Sequence, residues 1–255
     1  MHQENNEGRR KFLKTASIGG LAALSIPAIV SSALAKEKVK KIRLQQNDTI
    51  LFQGDSITDA RRKRDDNTVN SASALGNGYA FMAASDLLCN QANKGLNIYN
   101  KGISGNKVYQ LAERWDTDAL DIKPNVLSIL VGVNDFWHTL VRDYTGTIKT
   151  YQDDYSALLD RTKQRFPEVK LIIGEPFAVS GVKSVDETWF PGFNEYRQAA
   201  REIAASYGAV FIPYQSVFDK AQKTAPGVYW TYDGVHPTIA GNRLMAQAWM
   251  ETVKG

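Results

Sequence analysis

Four short stretches of the chain carry the side chains that acyl transfer needs, and each sits where a site can form. Gly54-Asp55-Ser56-Ile57-Thr58-Asp59 offers a hydroxyl on a turn, and Asn100-Lys101-Gly102-Ile103-Ser104-Gly105-Asn106 offers glycines that let backbone approach a ligand closely. Gly132-Val133-Asn134-Asp135 supplies a side-chain amide, and Asp233-Gly234-Val235-His236-Pro237 an acid and an imidazole three residues apart. A serine becomes a nucleophile only when an imidazole takes its proton, a carboxylate fixes the imidazole's tautomer, and donors meet the developing oxyanion. Ser56 would attack, His236 would act as general base and then general acid, and Asp233 would accept from the other ring nitrogen. The amides of Ser56 and Gly105 and the side-chain NH2 of Asn134 would form the oxyanion hole.

Each of these residues also has an ordinary structural use. A serine after a strand commonly caps a helix, and a histidine before proline can simply start the last helix. The convergence of Ser56, His236, Asp233 and Asn134 outweighs those uses. Of the other two histidines, His2 lies near the N-terminus, and His138 follows Phe136-Trp137 with no acid three residues before it, so it reads as pocket wall or packing. Asp55 and Asp59 flank the serine, but no second carboxylate cluster or glycine-rich phosphate loop accompanies them. No metal and no cofactor is expected. Asp55, Trp230 and Tyr232 are assigned to the substrate side of the site. For Asp55 the alternative is satisfying backbone donors behind the turn, and Asp135 has the same alternative. Trp115, Trp137 and Trp189 read as core.

In an open α/β sheet, ligands bind beyond the carboxyl ends of the strands, so the four stretches must follow strands. Short β-rich runs do precede three of them: Thr49 to Phe52, Leu96 to Tyr99 and Val126 to Val131, with Lys170 to Ile173 and Ala209 to Ile212 continuing the series. Apolar residues at three- and four-residue intervals predict helices over Tyr79 to Leu88, Thr147 to Phe166 and Phe193 to Tyr207, and from about Thr238 to Val253. This alternation predicts one α/β domain with a parallel sheet covered by helices on both faces. The segment from Val179 to Gly192 fits neither pattern and reads as a specificity loop.

The chain has 255 residues, 43% of them hydrophobic, which suits one sizeable core. Its formal charge of +4 falls to +2 without Arg9, Arg10, Lys11 and Lys14 and the opposing Glu4 and Glu7. The run Arg61-Arg62-Lys63-Arg64 is met at once by Asp65 and Asp66 and reads as a solvated loop, so no nucleic-acid partner is expected. The single cysteine, Cys89, excludes an intrachain disulfide and reads as a small buried side chain. Residues 1–35 have the plan of a signal peptide: a basic segment, an uncharged stretch from Thr15, and Ala33-Leu34-Ala35 as cleavage site. Arg9-Arg10 with Phe12-Leu13 gives the twin-arginine type, and hence export to the periplasm or beyond. The alternative is an uncleaved leader serving as a membrane anchor.

The four blocks, in this order, resemble those of the SGNH/GDSL hydrolases. The likeness spans roughly Lys41 to Thr252, places the family's nucleophile, glycine donor, asparagine donor and histidine on Ser56, Gly105, Asn134 and His236, and makes Asp233 the triad acid. It implies, for residues 36–255, a flavodoxin-like three-layer α/β/α domain with five parallel strands in the order 2-1-3-4-5. Ala74 to Tyr79, Asn100 to Val108 with Arg114-Trp115, and Gly132 to Trp137 are similar to bacterial acetylxylan esterases of that family. The implied reaction is removal of acetyl groups from carbohydrate through an acyl-serine. Tyr232, where those enzymes have tryptophan, and the Val179 to Gly192 segment depart from that likeness. The rivals are a lysophospholipase or thioesterase with the same triad, and a carbohydrate-binding protein without catalysis. The likeness also implies a possible homo-oligomer.

Overall fold

A computed structural model describes residues 25–35, 37 and 41–255. Two short strands, β1 (Ile42–Arg43) and β7 (Val253–Lys254), pair in parallel and tie the two ends of the body together. The main sheet is built from β2 (Thr49–Gly54), β3 (Asn97–Asn100), β4 (Val126–Leu130), β5 (Lys170–Gly174) and β6 (Val210–Ile212). All pairings are parallel, in the order β3-β2-β4-β5-β6, which is the expected order once β1 is set aside. Every residue of β4 is buried, as a central strand covered on both faces requires. The register pairs Phe52 with Asn100 and Gly54 with Leu130, so the segments following β2, β3 and β4 emerge at one edge. At Gly54 the sheet tolerates no side chain: a Cβ there would stand 2.2 Å from the Leu130 carbonyl oxygen.

The helices Tyr79–Asn90, Ile148–Arg165 and Gly192–Ser206 follow the expected stripes, and the last helix runs from Ile239 to Met250. It stops short of Val253 because Val253 and Lys254 enter the β1–β7 pair. Cys89 corrects another expectation. The buried stripe of its helix is Tyr79, Ala80, Ala83, Ala84 and Leu87, and Cys89 falls off that face into solvent.

The cleavage motif at Ala33 to Ala35 ends a helix, Ile26–Leu34, that packs on the helices Tyr214–Ala221 and Ile239–Met250. Ile29, Val30, Ala33 and Leu34 are buried in that contact, and Glu37 pairs with Arg201 at 2.6 Å. The twin-arginine motif itself lies outside the described residues. Among them, no helix is long and apolar enough to cross a membrane. Fully burying an Ile or Val contributes about 1.5–3 kcal/mol, an upper bound because the unfolded chain hides some of that surface. In a domain of this size 1 kcal/mol corresponds to about 2–4 °C. Ile29 and Val30 together contribute at most about 3–6 kcal/mol, so a chain beginning at Lys36 is expected to melt up to about 6–24 °C below one beginning at Ser25, as followed by circular dichroism. Equal melting temperatures would show that the helix contributes nothing to the body.

Candidate active site

The chain leaves β2 through a tight turn. The Asp55 carboxylate accepts from the Ile57 amide at 3.0 Å and caps the short helix Ser56–Asp59, which presents Ser56 at the sheet edge. From the opposite wall, His236 brings Nε2 to 2.8 Å from Ser56 Oγ, and its Nδ1 stands 2.8 Å from Asp233 Oδ2. The other carboxylate oxygen of Asp233 accepts from the backbone amides of Val235 and His236, at 3.0 and 2.8 Å. Asp233 therefore fixes both the imidazole and the loop that carries it.

The electrostatics follow from these contacts. Burial raises the Asp233 carboxyl, but the hydrogen bonds from the His236 ring, the His236 amide and the Val235 amide outweigh it and hold the group at about 2. The hydrogen bond to Asp233 in turn raises the His236 imidazole above its ordinary range, against the opposing effect of burial.

The oxyanion candidates are supported from below. Ile103 donates its amide to the Gly54 carbonyl at 3.0 Å, and Ser104 donates its amide to Asp59 at 2.8 Å, so the loop after β3 is tied to the serine turn. Asn100 completes the lacing, with its side chain donating to the Thr58 and Leu75 carbonyls and accepting from the Gly102 amide. Gly105 adopts a φ of +83° at the top of this loop, and a Cβ there would meet nothing within 4 Å, so its backbone faces open space. Asn134 is buried near the start of the helix Val133–Val141 and donates one side-chain hydrogen to the Asn106 carbonyl at 3.2 Å, leaving its second for a ligand. Behind it Asp135 accepts from the Val108 amide at 3.1 Å, and burial pushes its carboxyl up to about 7.

Ser56 and His236 open into a cleft of about 630 Å³ whose walls include Arg61, Phe81, Met82 and Tyr232. Of the three residues assigned to the substrate side, Tyr232 is 61% exposed and lines this cleft. Asp55 does not reach it: the residue is 1% exposed, turned under the serine, and pushed by burial to about 7. Trp230 is 4% exposed, with its ring nitrogen donating to the Ala225 carbonyl, so its neighbourhood to Asp233 in sequence does not carry over to the cleft. His138 is buried 3.1 Å from Lys107 Nζ, the packing role expected of it.

The Val179 to Gly192 segment proves to be a buttress. Val179 donates its amide to the Gly234 carbonyl at 2.7 Å and Ser184 donates to the Asp233 carbonyl at 3.1 Å. Val185 packs so tightly on Gly234 that a Cβ there would lie 2.5 Å from its side chain. Trp189, at the end of the segment, is buried against Phe136, Trp137 and Phe193, and Trp137 stands 6.3 Å from the His236 ring, centroid to centroid. Sequence spacing gave no sign of these supports, because Asp59, Asn100 and Val185 act through backbone contacts that only the fold creates.

A five-stranded parallel sheet with a serine, an imidazole and a carboxylate linked in series at its carboxyl edge is the arrangement of a serine hydrolase. The family model for the GDSL-like lipase/acylhydrolase family matches residues 52–244, and the chain belongs to that family. A relative 31% identical over 214 residues is the acetylxylan esterase of Geobacillus stearothermophilus, covering 83% of this chain and 96% of the relative. Among solved structures, a GDSL-like lipase from Parabacteroides merdae is 48% identical, with a TM-score of 0.82 over 84% of this chain and 98% of the other. The crystal structure of the Geobacillus acetylxylan esterase matches at 28% identity and a TM-score of 0.73, over 84% of this chain and 97% of the other. That enzyme's catalytic variants replace a serine, an aspartate and a histidine, the last two spaced by three residues as Asp233 and His236 are. The chain is therefore a carboxylic-ester hydrolase of the SGNH/GDSL type.

Proposed function

We propose that the enzyme removes acetyl groups from carbohydrate through an acyl-serine intermediate, with Ser56, His236 and Asp233 as its triad. The observation that carries the reading is the continuous series Asp233–His236–Ser56, both links 2.8 Å long, opening into the cleft. Ser56 Oγ attacks the ester carbonyl carbon as His236 Nε2 takes its proton. The carbonyl oxygen becomes an oxyanion held by the amides of Ser56 and Gly105 and by the free side-chain hydrogen of Asn134. Collapse breaks the bond to the sugar oxygen, which leaves with the proton from His236. Water then repeats the sequence, releasing acetate and restoring the serine.

The likeness to an acetylxylan esterase favours acetylated xylan or its oligosaccharides as substrate. Phe81 and Met82 give the cleft an apolar portion against which the methyl of an acetyl group can pack. Acetate released from acetylated xylo-oligosaccharides, with p-nitrophenyl acetate cleaved faster than the octanoate and dodecanoate esters, is the expected result. Preference for the long chains would assign the lysophospholipase or thioesterase reaction instead, and no release from any of them would point to a binding protein. The twin-arginine motif supports export, and the intact mass of the protein recovered outside the cytoplasm tests it.

Two further results are expected of this mechanism. Asn134→Ala removes one oxyanion donor and should lower kcat by about 100- to 1000-fold. The working form of His236 is the neutral base, so kcat/KM should fall as pH drops through the raised imidazole value, with its acid limb above the ordinary histidine value of about 6.5. A limb below that value would contradict the Asp233–His236 coupling.

A further inference from the structure

The run Arg61-Arg62-Lys63-Arg64 is not the uniformly solvated loop its composition suggests. Arg62 is buried, with Nε donating to the Gly102 carbonyl at 2.8 Å, and Arg64 pairs with Asp59. Arg61, alone of the four, lines the cleft that holds Ser56 and His236, and it is exposed there. It is the only formally charged side chain on that wall apart from the imidazole, and no carboxylate lines the cleft with it. Among the described residues its guanidinium makes no ion pair and no hydrogen bond. Asp59, the nearest carboxylate in sequence, is taken by Arg64 and the Ser104 amide.

The backbone fixes this direction at a cost. Ala60 and Arg61 both adopt left-handed conformations, with φ of +43° and +61°, which residues carrying a side chain rarely do. The turn is clamped on three sides: the Ala60 amide donates to the Ser56 carbonyl at 3.0 Å, the Arg62 amide to the Asp59 carbonyl at 2.9 Å, and the Asn77 amide to the Ala60 carbonyl at 3.0 Å. Gly76 and Gly78 close over it, since a Cβ at either would come within 2.7 Å of Asp59 or Ala60. Strain held this firmly one turn from the serine, presenting an unpaired cation to the substrate's side of the cleft, is the kind that persists where a ligand uses it. A guanidinium with free donors matches a carboxylate in both charge and geometry.

We infer that Arg61 selects acetylated sugars that carry a carboxylate, such as a uronic-acid branch beside the acetyl group. This rests on the carbohydrate-ester reading above. The test compares kcat/KM for acetate release from acetylated xylo-oligosaccharides bearing a uronic-acid branch and from the same compounds with that carboxyl converted to its neutral amide. The intact enzyme should prefer the acidic compound by about tenfold, the scale of one charge-assisted hydrogen bond at a solvent-facing site. Added salt should shrink the preference. Arg61→Ala should bring the ratio to about one, and Arg61→Asn, which tolerates the left-handed turn, should do the same. A ratio of one in the intact enzyme, or variants that lose equally on both compounds, overturns the inference and leaves the esterase reading standing. Release of acetate from neither compound takes both down together.

Discussion

Ser56→Ala is expected to lose about a millionfold in turnover on acetyl esters while keeping its melting temperature, because losing the nucleophile alone costs about as much as losing the whole triad. The fold should not notice the change. The Ser56 side chain makes its hydrogen bond to His236 alone, and the cap that holds the turn comes from Asp55, whose acceptance from Ile57 survives the substitution. A residual rate above that of water should persist, since the oxyanion donors and the cleft remain. Turnover by the variant within a few-fold of the intact enzyme would mean that the hydrolysis runs elsewhere on the chain.

Asp233→Asn is expected to lower kcat by about ten-thousandfold, through the tautomer of His236. The asparagine oxygen can still accept from the amides of Val235 and His236, so the loop keeps its shape. Its NH2, however, would face Nδ1 and force that nitrogen to accept. The ring proton then moves to Nε2, the atom that must take the proton of Ser56. The substitution also removes the hydrogen bond that raises the imidazole, so the acid limb of kcat/KM should shift to lower pH. A purely structural role for Asp233 would lower the rate without moving that limb.

The site could be read from the sequence because three of its four stretches follow apolar runs, and the carboxyl ends of parallel strands share one edge. Ser56 after β2, Gly105 after β3 and Asn134 after β4 come to that edge for this reason, and the three-residue spacing of Asp233 and His236 made their contact local. The strand order was carried by the family resemblance. What failed was inference from sequence adjacency alone. Trp230 lies three residues from Asp233 but ends the short helix Gly227–Trp230, which turns the indole inward, whereas Tyr232 faces the cleft. Asp55 lies next to Ser56 but points beneath it.

Three other features were invisible for physical reasons. An uncharged stretch rich in Ala, Ile and Val has the same composition whether or not it packs on the body, so the burial of Ile29, Val30, Ala33 and Leu34 could not be read from it. The two-residue strands β1 and β7 are too short to show any period, and their pairing joins segments more than 200 residues apart. The direction of Arg61 depends on left-handed backbone at two ordinary residues, for which the sequence carries no glycine to give warning.

A fluorophosphonate phosphonylates a serine only when a neighbouring base activates it, so labelling followed by peptide mapping reads the nucleophile directly. One adduct per chain is expected, on Ser56, with acetyl-ester hydrolysis lost in proportion, and no adduct in Ser56→Ala. Hydrolysis that persists after Ser56 is fully modified, or an adduct on another serine that tracks the loss of activity, would contradict Ser56 as the nucleophile.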